Sequence, residues 1–259
     1  MSSATYVRVK AALIHLTVSI VVALFSAILV LYLWFPGQYR AMAGGSHLLF
    51  LIVSVDVVLG PLLTFVVFNA EKPRSELIRD LSVVFVLQFG GLVYGMHAVY
   101  LARPVALVFE QTRFRVVSYV QVEQSELPQM TTGVPRLSIS GPLLLSVRDF
   151  KDDREKSEAA EKGIAGVDVG VRPKFWQPYL YAEKQLRKVA RPYDILVRKY
   201  PSDLSVNELP GKLGVLSNQL LFVPVITRTG DWVAVLSAKT LLPLDFIPKD
   251  GFFELAAKS

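Results

Sequence analysis

The chain has 259 residues, 52% of them hydrophobic, with a mean hydropathy of +0.42 and a formal net charge of +6. That is too apolar for an ordinary soluble domain and too mildly basic to indicate nucleic acid. It contains no cysteine, which excludes disulfides and Cys-based metal or redox chemistry.

The apolar excess is local. Residues 16–35 (LTVSIVVALFSAILVLYLWF), 48–68 (LLFLIVSVDVVLGPLLTFVVF) and 81–102 (LSVVFVLQFGGLVYGMHAVYLA) each suit a membrane span of about 20 residues. The expected organisation is a membrane domain over 1–102, with spans at about 11–35, 47–69 and 80–102. A second domain over 103–259 is long enough to hold its own core. The first run follows Arg8 and Lys10, as a signal peptide would. Its core is about twice the usual ~7–15 residues, however, and no Ala-x-Ala site ends it. It closes on Trp34-Phe35-Pro36-Gly37, an aromatic interface belt and a breaker, and so reads as a retained anchor.

Lys and Arg counts in the short loops set the orientation. Two precede the first span, one (Arg40) follows it, and three (Lys72, Arg74, Arg79) separate the second span from the third. The positive-inside rule then puts the N-terminus and the second loop in the cytoplasm. The C-terminal domain falls outside, which in a bacterium is the periplasm.

The second span carries one carboxylate, Asp56, which costs ~2.5–3.5 kcal/mol at mid-membrane on insertion scales. Pro61 cannot donate to the carbonyl of Val57, so a kink is expected there. Asp56, Gly60 and Thr64 form a small, polar stripe at helical spacing. The third span has a matching stripe in Gln88, Gly91, Gly95, Ala98 and Ala102, and the first a weaker one in Ser19, Ala23, Ser26 and Ala27. Small residues at this spacing let helices approach closely. Either the spans pack on each other through these stripes, or part of the surface receives another protein's membrane helix. At ~1.5 Å per residue, Asp56 lies about 12 Å below the outer edge, with Ser26 at about 14 Å, Tyr94 at about 10 Å and Gln88 at about 20 Å. Ser26 and Tyr94 are therefore the expected internal partners of Asp56, and Gln88 the next. The alternative is a donor from another chain.

Several stretches resemble a known family. Lys10-AALIHL, Trp34-FPG, Val55-DVVLGPLLTFVVFN, Ser75-ELIRDL and Tyr100-LARPVALVFEQTRFRVV are similar to the type IV pilin accessory proteins of the TfpX/TfpZ type. The likeness covers residues 10–117 and is looser beyond residue 120. It implies an inner-membrane protein that assists a cognate type IV pilin in stability or assembly, touching both the pilin's membrane helix and its periplasmic head. Other pilus assembly proteins and inner-membrane lipid are further implied partners. The chain has no short leader ending in Gly followed by Phe-x-x-x-Glu, so it does not read as a pilin itself.

Beyond Arg103-Pro104 the alternation of VALVFE (105–110) and FRVVSYVQV (114–122) predicts a hairpin. Residues 123–141 are turn-rich, LLLSV (143–147) is a strand or part of a helix, and 151–162 (KDDREKSEAAEK) suits an exposed helix without an apolar stripe. Residues 175–200 are aromatic and then basic, with a helix expected to stop before Pro192. Trp176, Tyr179, Lys184, Arg187 and Lys188 are the candidate contact residues there, for lipid headgroups or an acidic patch. The competing reading is aromatics in the core and a solvated basic face. LLFVPVITR (220–228), Thr229-Gly230-Asp231 and WVAVLSA (232–238) make the clearest hairpin. The tail, LLPLDFIPKDGFFELAAKS, shows turn formers and aromatics that look exposed. The fold expected is three transmembrane helices followed by a periplasmic α+β domain, its two hairpins joined in one antiparallel sheet.

No catalytic constellation is legible. All three histidines, His15, His47 and His97, lie in the first hundred residues, so the second domain cannot hold a Ser-His-Asp triad. His47 and His97 share the outer edge without a third ligand, and Asp56 and Asp80 lie at different depths. No cofactor, metal or nucleic acid is expected. A second reading is a membrane-anchored periplasmic sensor or interaction module without catalytic activity. Against it, the short cytoplasmic segments leave no room for an output domain.

Overall fold

The computed structural model describes residues 3–253. The last six residues of the tail, 254–259, lie outside the described residues. The chain divides into two compact units, one of residues 1–40 and 44–103, the other of 41–43 and 104–259.

The first unit holds three helices, each long and apolar enough to cross a membrane: Thr5–Trp34, Gly45–Val67 and Arg74–Ala102. The first comprises α1 (Ser3–Ile28) and a wider π-helical end, Leu29–Trp34, where the N–H of Phe35 reaches the carbonyl of Val30 at 2.8 Å. α2 (Gly45–Val67) starts after Gly44, whose φ of 74° suits glycine. It runs on through Pro61, so the proline removes one donor without ending the helix. α3 (Arg74–Ala102) begins after Pro73, with Glu76 in its first turn, where the helix dipole favours an acid. It stops ahead of Pro104, whose ring disfavours helical geometry at Arg103. α2 packs against both α1 and α3. At one end the rings of Trp34 and Tyr100 meet edge to face at 5.4 Å, and Phe35 is fully buried on Gly45. A Cβ at Gly45 would stand 2.5 Å from that ring, so the close approach requires glycine.

The second unit is built on an eight-stranded sheet. Its strands are β1 (Pro104–Glu110), β2 (Arg113–Ser118), β3 (Leu143–Val147), β4 (Trp176–Pro178), β5 (Arg191–Pro192), β6 (Leu220–Thr227), β7 (Gly230–Ser237) and β8 (Pro243–Ile247). The order is β4-β3-β1-β2-β6-β7-β8, with β5 added to β6. Both expected hairpins form, and 143–147 is a strand. The sheet is mixed, however, which corrects the antiparallel expectation: β1 pairs with β3 in parallel, and so does β2 with β6. A parallel pair needs a crossover of a dozen or more residues, and the segments 119–142 and 119–219 supply them. The two hairpins therefore meet side by side, through Phe114↔Val225 and Arg115↔Ile226. β1 is buried along its whole length, as a central strand covered on both faces should be.

One apolar cluster lies on the β6–β8 part of the sheet. There Tyr193 and Leu196 of α6 (Tyr193–Lys199) cover Phe222, Val233 and Val235. Another gathers Val105, Val108, Val117, Leu145 and Trp176 on the β1–β4 part. The buried aromatics keep their polar atoms satisfied: Trp176 donates to the Gly170 carbonyl at 2.8 Å, Tyr179 to Leu241 at 2.6 Å and Tyr193 to Val206 at 2.8 Å.

Without an apolar stripe, α4 (Asp153–Ile164) is held by ions. Glu155 takes a two-pronged bond from Arg148, at 2.7 and 2.8 Å. Glu158 accepts from Arg172 at 3.0 Å and Lys174 at 3.1 Å. Arg172 is wholly buried and also pairs with Glu126, at 2.7 Å. In the tail, Phe253 stacks on Phe222 at 6.1 Å, and Arg191 donates to its carbonyl.

Candidate functional site

The polar residues of the first unit converge on the middle of α2. Each step of four residues turns a helix by about 40° beyond a full circle, so Asp56 and Thr64 differ by about 80°. The stripe expected on one face therefore splits between two neighbours. Gly60 and Thr64 are buried, and Thr64 Oγ1 lies 2.5 Å from His15 Nδ1 of α1. A Cβ at Gly60 would stand 2.5 Å from Gln88 Oε1 and 2.9 Å from His15 Nε2. Side chains from α1 and α3 thus close over one glycine of α2, and any larger residue would push them apart. Gln88 belongs at this level: Gly60 is one turn, about 6 Å, deeper than Asp56. Ser19 and Ser26 of α1 are also buried, and Pro61 is half-buried.

Asp56 faces elsewhere. It lines an apolar groove of about 340 Å³ between α2 and α3, whose wall also includes Gln88, Gly91, Tyr94 and Gly95. Neither Tyr94 nor Ser26, the partners expected from depth, bonds to it. Tyr94 is 77% exposed and Ser26 is buried away from the groove. Among the described residues Asp56 makes no side-chain hydrogen bond. Gly95 is packed, its missing Cβ standing 2.8 Å from Ile52, whereas a Cβ at Gly91 would meet nothing within 4 Å. A second apolar groove, about 450 Å³ between α1 and α2, is lined by Leu24, Ala27, Phe50 and Val57 among others and carries no titratable group.

His15 is a participant that the sequence does not single out: a histidine on the first long helix is visible there, but its rotation toward α2 is not a local property.

In the second unit Trp176 and Tyr179 are buried, 0% and 7% exposed. They are core residues, not part of a contact surface, because the sheet and the 3-10 turn at 179–182 draw them inward. Tyr181 instead points out, with Leu180. Lys184, Arg187 and Lys188 of α5 (Glu183–Val189) are exposed, Arg187 in part tied to Glu183 at 2.8 Å. They form a solvated basic face. Among the described residues no group of three or more His, Asp or Glu could hold a metal ion.

These features define a class: a protein with three membrane-length helices, a polar cluster among them, and one mixed-sheet domain. A family model described as fimbrial assembly protein FimB matches residues 3–44. The fimbrial assembly protein of serogroup I from Dichelobacter nodosus is 35% identical over 226 residues, covering 86% of this chain and 88% of that protein. The serogroup E1 protein of the same organism is 35% identical over 228 residues, with the same coverage. A third, of serogroups C1 and C2, is 42% identical over 116 residues, 45% of this chain and 88% of its own length. The chain belongs to the fimbrial assembly protein family. Those names denote assembly rather than catalysis, and the three apolar helices fit a membrane-anchored member. No solved structure matches the chain.

Proposed function

We propose that this protein is an accessory factor for a cognate type IV pilin, of the TfpX/TfpZ kind, which holds pilin in the bacterial inner membrane and aids its entry into the fimbrium. Residues 1–102 cross that membrane three times with the N-terminus in the cytoplasm, and residues 103–259 stand in the periplasm. The membrane helices contact the pilin helix. The periplasmic domain contacts the pilin head or other assembly proteins, with Lys184, Arg187 and Lys188 as its basic face toward acidic protein or lipid headgroups. The role is that of a chaperone, without catalysis or cofactor.

The observation that carries this reading is the 35% identity to fimbrial assembly proteins over 86% of the chain. The loop charges and the three long apolar helices support the topology. Deletion of the gene tests it, with pilin level and surface fimbriae measured together. The expected result is loss of fimbriae, with pilin lowered or stranded in the inner membrane. Normal fimbriae in normal number would refute the proposal. A reporter fused after residue 103, active only in the periplasm, tests the orientation.

A further inference from the structure

We infer that the groove between α2 and α3 seats one transmembrane helix of another protein, and that this helix presents a hydrogen-bond-donating side chain to Asp56; the identity of the helix as pilin's rests on the proposed function.

The shape argues for a helix. From Leu48 to Leu63 the groove follows α2 for about 22 Å, some four turns, and its other wall is α3 from Leu87 to Val99. A trough of that length between two helices takes one ridge of side chains spaced four residues apart. Its floor is lowered at Gly91, where no atom lies within 4 Å of a Cβ position, so another backbone can come close.

The chemistry argues against lipid. Asp56 stands near the middle of the groove without a hydrogen-bond partner among the described residues. In hydrocarbon a polar group left unpaired is strongly disfavoured. An acyl chain filling the groove supplies no donor; a helix bearing Ser, Thr, Asn, Gln, Lys or a protonated acid does. The α1–α2 groove is larger, about 450 Å³, but has no titratable group and so no means of selecting a polar helix over lipid. A second copy of this chain docked by the same face in two-fold symmetry would bring another Asp56 to the same depth, and two carboxyl groups there pair only by sharing a proton.

The test uses the full-length protein in its own cells. A photo-crosslinking residue is placed at Leu87 or Tyr94 in the α2–α3 groove, and at Leu24 or Phe50 in the α1–α2 groove; all four positions then report on pilin by antibody and mass. The expected result is capture of pilin from Leu87 and Tyr94, about tenfold above Leu24 and Phe50. Asp56→Leu should lower capture from Tyr94 by about three- to twentyfold, the range of one helix–helix hydrogen bond in a membrane, and Asp56→Asn, which can still accept, by less. If Asp56→Leu does not accumulate, Gly91→Leu fills the open groove while keeping the carboxylate and should have the same effect. Equal capture from both grooves, capture of a second copy from Tyr94, or indifference to these substitutions overturns the inference. A deletion strain is scored in parallel. Lost fimbriae with pilin captured only from Leu24 or Phe50 overturns the groove and leaves the proposed function standing. Normal fimbriae on deletion overturn the function itself.

Discussion

His15 Nδ1 and Thr64 Oγ1 stand 2.5 Å apart, joining the first long helix to the second across 49 residues of chain. The other ring nitrogen of His15 lies over Gly60, beside the Gln88 amide of the third helix. One glycine thus lets side chains of α1 and α3 close over α2, and the His15–Thr64 contact pairs two polar groups that hydrocarbon would leave unpaired.

The His15–Thr64 contact should register as a coupling between α1 and α2. A double-mutant cycle of His15→Phe and Thr64→Val, read by unfolding in mixed micelles, is expected to give about 0.6 kcal/mol and at most about 1.7 kcal/mol. Strict additivity would show that the two side chains do not stabilise the packing.

Two glycines should respond in opposite ways to the same change. Gly60→Ala places a methyl 2.5 Å from Gln88 Oε1, so it should destabilise the helical unit by about 1–3 kcal/mol. Gly90→Ala meets nothing within 4 Å and should be neutral, or stabilising by up to about 1 kcal/mol, because alanine is the better helix former. Unfolding midpoints of the purified variants check this, and equal effects would contradict the geometry.

The buried pair of Arg172 and Glu126 should be worth more as a pair than its parts suggest. Their side chains are 0% and 7% exposed, so removing Glu126 leaves the buried Arg172 with only the half-exposed Glu158 as its counter-charge. Glu126→Leu alone should cost about 3–5 kcal/mol, whereas Glu126→Leu with Arg172→Met should recover most of that loss. Denaturant titration of both variants decides it, and a double variant as unstable as the single one would refute the account.

Acid should loosen the anchoring of α4 in a defined window. The Arg148 hydrogen bonds hold Glu155 at a pKa of about 2, below its ordinary 4.5, and Lys174 followed by Arg172 does the same for Glu158. A lowered folded-state pKa means that the stabilisation is fully present above about pH 4.5 and is lost as pH falls toward 2. Thermal unfolding between pH 7 and pH 2 should show a flat region and then a fall, and Glu155→Gln should shrink the fall. An unchanged slope in that variant would mean that the Arg148–Glu155 pair does not contribute to it.

The sequence alone determined the membrane-length helices, both hairpins and the charged helix at 153–164. Each is written in a local period: long apolar runs, alternation beside a turn, and charged residues of good helix propensity. It did not reveal the short strands at 176–178, 191–192 and 243–247, which form because the sheet offers partners and not because their residues favour strand. Only the tertiary structure decided which strands run parallel, since that depends on where two long crossovers return the chain. It alone decided the fate of the polar stripe on α2. The spacing of Asp56, Gly60 and Thr64 says which side of the helix they share to within about 80°, but not which neighbour each one meets. That choice depends on the rotation of three helices about their axes. It put Thr64 against His15 and Gly60 beneath Gln88, and left Asp56 facing an open groove.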